Sequence, residues 1–90
     1  MIQSFADKDA EAFYGGKRIR RFTQIEAALA RKLTVLSEAT ELRDLSRVPG
    51  NRLERIEGTD EYSIRVNIQM RIVFRWTDDG PTDVKVEDYH

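Results

Sequence analysis

Cysteine is absent from the 90-residue sequence, and histidine occurs once, at position 90. The first absence excludes a disulfide framework and thiolate metal ligation. With a single imidazole, a metal centre of the usual kind is not expected, and no cofactor is expected either. No apolar run approaches the length needed to cross a bilayer. The opening MIQSFADKD has neither a basic n-region nor a long apolar stretch, so no secretory signal is expected. These absences together point to a reducing cytoplasm and away from a membrane. The sequence shows no internal repeats, linkers or low-complexity tracts.

What is present describes one folded domain over residues 1–90. Hydrophobic residues make up 40% and charged residues 34%, well away from disordered compositions. The formal net charge of −1 conceals an uneven distribution. Between positions 17 and 32 stand Lys17, Arg18, Arg20, Arg21, Arg31 and Lys32 against Glu26 alone. From Thr77 onward stand Asp78, Asp79, Asp83, Glu87 and Asp88 against Lys85. The basic stretch can meet phosphates or an acidic protein, or simply solvate its surface. The near-neutral total argues against broad duplex binding.

Periodicity divides the chain in two. IQSF at residues 2–5 reads as a short strand, and Asp7–Tyr14 as a short helix stopped by Gly15-Gly16. Thr23 with Glu26 has the spacing of a capping box. The set Ile25, Ala28, Leu29, Leu33 and Leu36 then predicts a helix ending near Ala39. A weaker turn of helix covers Glu41–Leu45, and Pro49-Gly50-Asn51 breaks the chain. Beyond it the period becomes alternating. Leu53–Glu57 reads as a strand ended by Gly58. Tyr62, Ile64 and Val66 line one face of the next, and Met70, Ile72, Phe74 and Trp76 one face of its successor. Asn67-Ile68-Gln69 links those two, Asp78-Asp79-Gly80-Pro81 is a further turn, and Asp83–Asp88 is the last strand. Helices followed by a meander predict an α+β fold, with N-terminal helices packed on one face of a small, mainly antiparallel sheet. Arg71 and Arg75 then point to the other face, where Arg75 reads as a solvating residue. In the last strand, alternation sets Lys85, Glu87 and Tyr89 on one face and Val84, Val86, Asp88 and His90 on the other.

The runs PGNRLERIEG, YSIRVNIQMRIVFRW and EDYH, with the opening MIQSF and the central ATELRDL, resemble the HigB branch of the RelE/ParE superfamily of toxins. The similarity runs nearly end to end with the motifs in order. It implies a RelE-like fold and a toxin of a type II toxin–antitoxin system, one that cuts messenger RNA in the ribosomal A site. It also implies a HigA-type helix-turn-helix antitoxin as partner, with operator DNA reached only through that antitoxin.

The same resemblance places Arg71, Asp88, Tyr89 and His90 at the catalytic site. Their chemistry suits RNA cleavage, which needs the 2′-hydroxyl deprotonated, charge on the phosphorane offset and the 5′-oxygen protonated. A guanidinium offers forked, permanently charged donors for phosphate oxygens, which suits Arg71. An imidazole titrating near about pH 6.5 can move a proton, which suits His90. Asp88 can orient His90 or act itself, or merely end the strand. Tyr89 can stack on a base, relay a proton or cover the sheet edge. Relatives carry basic residues before and after the glycine that ends the Leu53 strand, whereas this chain reads Glu57-Gly58-Thr59-Asp60-Glu61. Glu54 and Glu57 are therefore additional candidates for general base. Carboxylates beside a phosphodiester otherwise weaken cleavage by repulsion. Two other functions stay open on that ground: an antitoxin-binding co-repressor, and a toxin that impairs ribosome assembly. Lys17, Arg18, Arg20, Arg21 and Arg52 are candidate contacts to RNA, ribosome or antitoxin.

Overall fold

A computed structural model describes residues 1–89; His90 lies outside the described residues. The helical half begins with α1, Lys8–Tyr14. Asp7 caps it, accepting from the backbone N–H groups of Asp9 at 2.9 Å and Ala10 at 3.3 Å, which satisfies donors left open in a first turn. The stop falls at Gly16, whose φ of 104° is left-handed. A 3-10 helix over Arg20–Ile25 leads directly into α2, Glu26–Glu38. The expected cap at Thr23 is therefore corrected: its hydroxyl donates to the carbonyl of Arg20 at 2.7 Å, and Ile25 occupies the N-cap position. The tight turn serves Phe22, which is fully buried with its ring edge-on to Phe13 at 5.7 Å. The α2 stripe is as the period predicted, with Leu29, Leu33 and Leu36 in the core. Helix α3, Leu42–Ser46, is closed by a reciprocal capping box between Glu41 and Asp44.

The second half is a four-stranded antiparallel sheet in sequence order: β1 Glu54–Arg55, β2 Glu61–Arg65, β3 Met70–Thr77 and β4 Gly80–Asp88. Ile64, Ile72, Phe74, Val84 and Val86 face the helices and join Phe22, Leu29, Leu33, Leu36 and Leu45 in one core. The α+β architecture is thus the one the sequence predicted. No helix among the described residues is long and apolar enough to cross a membrane.

Three strand limits differ from expectation. Residues 2–5 form no strand of their own; they run parallel to β4 through a bridge between Phe5 and Val84, with Gln3 N–H donating to Pro81 O at 2.8 Å. They nevertheless cover the outer edge of β4, the usual remedy for an open edge. β1 keeps two residues of the expected five, because Arg52 takes φ 47° on one side and Gly58 φ 82° closes the turn on the other. β4 begins at Gly80 rather than Asp83. Gly80 has φ 123°, and a Cβ there would lie 2.5 Å from the Met1 carbonyl oxygen, so only glycine fits. The extra length is absorbed by a bulge. Val73 pairs with Lys85 but Arg75 with Thr82, and Asp83 takes φ 52°.

Two polar residues join the layers. Asn51 is fully buried, accepts from Lys32 Nζ, donates to Leu45 O at 2.9 Å and receives Arg65 N–H on its carbonyl at 2.6 Å. Asp7 does the same for α1 and β4, its Oδ2 accepting from Val86 N–H at 3.1 Å and from Arg21 at 2.7 Å. Burial pushes the Asp7 carboxyl upward, but the hydrogen bonds from Val86, Arg21 and Ala10 outweigh it and hold the group below the usual carboxylate range. Asp7→Asn keeps the helix cap but turns an amide donor toward two donors. It is expected to destabilise by about 2–3 kcal/mol at pH 7 in urea unfolding. Because the folded carboxyl is depressed, its stabilisation is fully present above the unfolded value and is lost as pH falls through the folded one. The gap between wild type and variant should therefore close below about pH 4; a gap independent of pH would place the effect elsewhere.

Candidate functional site

The site is set by register. Asn67 Oδ1 accepts from the N–H groups of Gln69 at 2.8 Å and Met70 at 2.7 Å, fixing the β2–β3 link so that Arg65 stands opposite Arg71. On the other side of β3, Arg71 stands opposite Glu87. Tyr89 N–H donates to Gln69 O at 2.8 Å, which extends the pairing one residue past β4. Arg65, Arg71, Glu87 and Tyr89 consequently meet on the outer sheet face, the side away from the helices.

Directly opposed like charges are unfavourable. Here the Tyr89 ring relieves them, lying 5.4 Å from the guanidinium carbon of each arginine, while Arg65 Nε meets the Tyr89 hydroxyl at 3.4 Å. Arg71 Nη2 donates to Glu87 Oε1 at 2.9 Å. Its buried Nε–H has no partner among the described residues. The result is a half-buried, oriented cation beside a phenol, suited to an oxyanion. Asp88 follows on the opposite side of the strand, pairs in register with Met70 and is itself engaged. His90 lies outside the described residues.

The outer face is less open than a merely solvated surface. Val73 and Ser63 are buried there, at 0% and 1% exposure, beside long charged side chains that bridge across them. Lys85 reaches Glu61 at 3.5 Å and Glu87 at 4.0 Å, and Arg75 reaches Asp60 at 3.3 Å and Asp83 at 3.8 Å. Aliphatic stems of such residues cover apolar surface while their heads stay wet.

The remaining candidates scatter. Glu54 pairs with Ser63, on the same face as Arg71 but two strands away. Glu57 lines an open cavity with Arg55, Asp60 and Arg75, at the far end of the sheet. Arg71 and Arg75 are four residues apart on β3, about 13 Å at strand rise, so Glu57 is not brought to the Arg71–Tyr89 end. In the acidic loop, Asp60 is held by Arg75 at the Glu57 end, whereas Glu61 is held by Lys85, which also reaches Glu87. Arg52 follows Asn51, whose carbonyl binds Arg65, and so comes to the arginine end.

Lys17, Arg18, Arg20 and Arg21 belong to the helical layer. Arg18 pairs with Glu26 at 3.2 Å, and Arg21 with Asp7 at 2.7 Å and Asp9 at 2.8 Å. Arg21 is thus part of the α1 anchor. Arg21→Glu should lower stability by roughly 1–2 kcal/mol through repulsion from Asp7 and Asp9, discounted for partial exposure. Arg20→Glu, on an exposed residue, should not. Equal thermal melts for both would remove Arg21 from that role. Sequence reading passed over Arg65 and Glu87. Counting back across the Asn67 link would have found the first, and the Lys85/Glu87/Tyr89 alternation already held the second.

Comparison with known proteins bears on the whole chain. Residues 3–90 match the family model described as RelE-like toxin of type II toxin-antitoxin system HigB. The chain is 44% identical over 82 residues to Toxin HigB-1 of Vibrio cholerae serotype O1, covering 87% of this chain and 86% of that protein. It is 35% identical over 65 residues to an uncharacterized protein of Haemophilus influenzae, covering 70% of this chain and 64% of that one. With a helical layer on an antiparallel sheet and the family's motifs along its length, the chain belongs to the HigB family of RelE-like toxins of type II toxin–antitoxin systems.

Proposed function

We propose that this toxin is a ribosome-dependent endoribonuclease that cleaves messenger RNA in the A site and so arrests translation. The observation that carries the proposal is the contact of Arg71 with Tyr89 on one sheet face, Tyr89 standing between Asp88 and His90 in chain order. In this reading Arg71 offsets charge on the phosphorane, and Tyr89 stacks on a base or passes a proton. His90 transfers the proton, with Asp88 orienting it or acting in its place. Glu54 shares the outer face and is the nearer of the two additional carboxylates to this scheme; Glu57 is remote from it. The partner is a HigA-type helix-turn-helix antitoxin, operator DNA is contacted only through it, and the site of action is the cytoplasm.

The pairing of the acidic loop's Asp60 with Arg75 and its Glu61 with Lys85 supports an active toxin over a weak toxin or pure co-repressor, since these carboxylates are already partly neutralised. Ribosome dependence follows from charge. The near-neutral chain, with its outer arginines and lysines largely paired to carboxylates, presents no broad phosphate-binding track and needs the A site to position its substrate. Purified toxin is expected to cut mRNA slowly in free solution and much faster on a programmed ribosome. Equal rates with and without ribosomes would count against the mechanism.

A further inference from the structure

Glu87 has no part in the chemistry just described, yet among the described residues it is the carboxylate that pairs with Arg71. The contact is 2.9 Å between Arg71 Nη2 and Glu87 Oε1, and the two side chains are 22% and 37% exposed, so solvent does not fully screen it. Arg71 is otherwise bordered by the Tyr89 ring and by Arg65 directly across the sheet. A carboxylate and a phosphate compete for the same guanidinium donors, because both present paired anionic oxygens. The second Glu87 oxygen, Oε2, already lies 4.0 Å from Lys85 Nζ, so a displaced carboxylate has a cation to receive it.

We propose that Glu87 is the internal counter-anion of the RNA site: in the free toxin its carboxylate holds the place on Arg71 that a substrate phosphate takes, and it thereby sets affinity and salt dependence. The proposal rests on Arg71 as the phosphate ligand. Glu87 is a positioning residue, since it acts through Arg71. It keeps the guanidinium oriented against Tyr89 and neutral in sum, so a phosphate must exchange with a carboxylate rather than meet a bare cation. That exchange releases no salt ion, unlike binding to an unpaired arginine, whose phosphate contact liberates a condensed counterion from RNA. It also raises the threshold for RNA that no ribosome holds in place.

The test uses full-length toxin and ribosomes programmed with mRNA carrying 2′-O-methyl groups at the A-site codon, which prevents cleavage. Affinity is measured across a KCl series at fixed magnesium for wild type, Glu87→Gln, Glu87→Asp, Arg71→Ala and the Glu87→Gln/Arg71→Ala double variant. Glu87→Gln is expected to bind about 5-fold tighter, the order set by removing one nearby like charge. Its dependence of log affinity on log salt should steepen by about 0.7, the value for one additional neutralised phosphate on single-stranded RNA. On cleavable mRNA its KM should fall without a rise in kcat. Glu87→Asp should stay close to wild type, and the gain should vanish in the double variant. If Arg71→Ala weakens binding but Glu87→Gln leaves affinity and salt slope unchanged, Glu87 is only a surface ion pair and the proposal is overturned. If Arg71→Ala itself leaves binding unchanged, the phosphate role of Arg71 falls and the proposal falls with it.

Discussion

Arg71→Ala is expected to slow mRNA cleavage on programmed ribosomes by about 10²–10³-fold, the usual loss when one preorganised donor to a developing oxyanion is removed. The size of the effect follows from orientation as well as charge. Arg71 is held by Glu87 at 2.9 Å and lies against the Tyr89 ring, so its remaining donors are placed before substrate arrives. Arg71→Lys should recover only part of the rate, because an ammonium is a point charge and cannot form the fork. The guanidinium side chain also lies on the outer face beside buried Val73, so truncation exposes some apolar surface. Lysine, with a similar stem, controls for that loss. The decisive measurement is single-turnover cleavage at saturating toxin, with thermal melts in parallel. An alanine variant that melts like wild type and cuts within a few-fold of it would end the assignment.

His90→Ala is expected to cost about 10²-fold or more in the same assay, the ordinary scale for losing a general acid or base. Leaving-group protonation near neutral pH needs a group titrating near about 6.5, and His90 is the sole imidazole in the chain. The accompanying pH profile separates roles: wild-type rate should change through the imidazole range, and the variant should lose that inflection. Growth arrest and transcript cleavage undiminished in His90→Ala would assign proton transfer to another group, with Asp88, Tyr89 and Glu54 next in line. Thermal melts run in parallel control for any change in stability.

How far the sequence could be read depended on whether a feature is local. The α2 stripe of Leu29, Leu33 and Leu36, the turn of helix near Leu42 and Leu45 and the alternating strands are properties of neighbouring residues, so periodicity sufficed for them. Thr23 misled because a threonine hydroxyl can cap a helix or bond back to a carbonyl, and burial of Phe22 chose the second. The early start of β4 depended on the Met1 backbone passing close to Gly80, a contact between chain ends that no local pattern records.

The sequence by itself determined the α+β order of elements, the face that Met70, Ile72, Phe74 and Trp76 turn to the core, and the family to which the motifs belong. The resemblance placed Arg71 and Tyr89 among the candidates, and alternation set both on the face away from the core, because side chains in a strand point to opposite faces in turn. Only the tertiary structure decided which candidates meet. Pairing register brought Arg65 and Glu87 to Arg71 and left Glu57 at the other end of the sheet, a choice made by the Asn67 link and the Asp83 bulge. It likewise turned Arg21 from a surface charge into an anchor, through an Asp7 carboxylate that the Val86 backbone also needs. The physical reason is common to both. A strand's own residues dictate which way a side chain points, but its neighbour is dictated by hydrogen bonds to another strand, and those are satisfied only when the whole sheet and its helical layer close together.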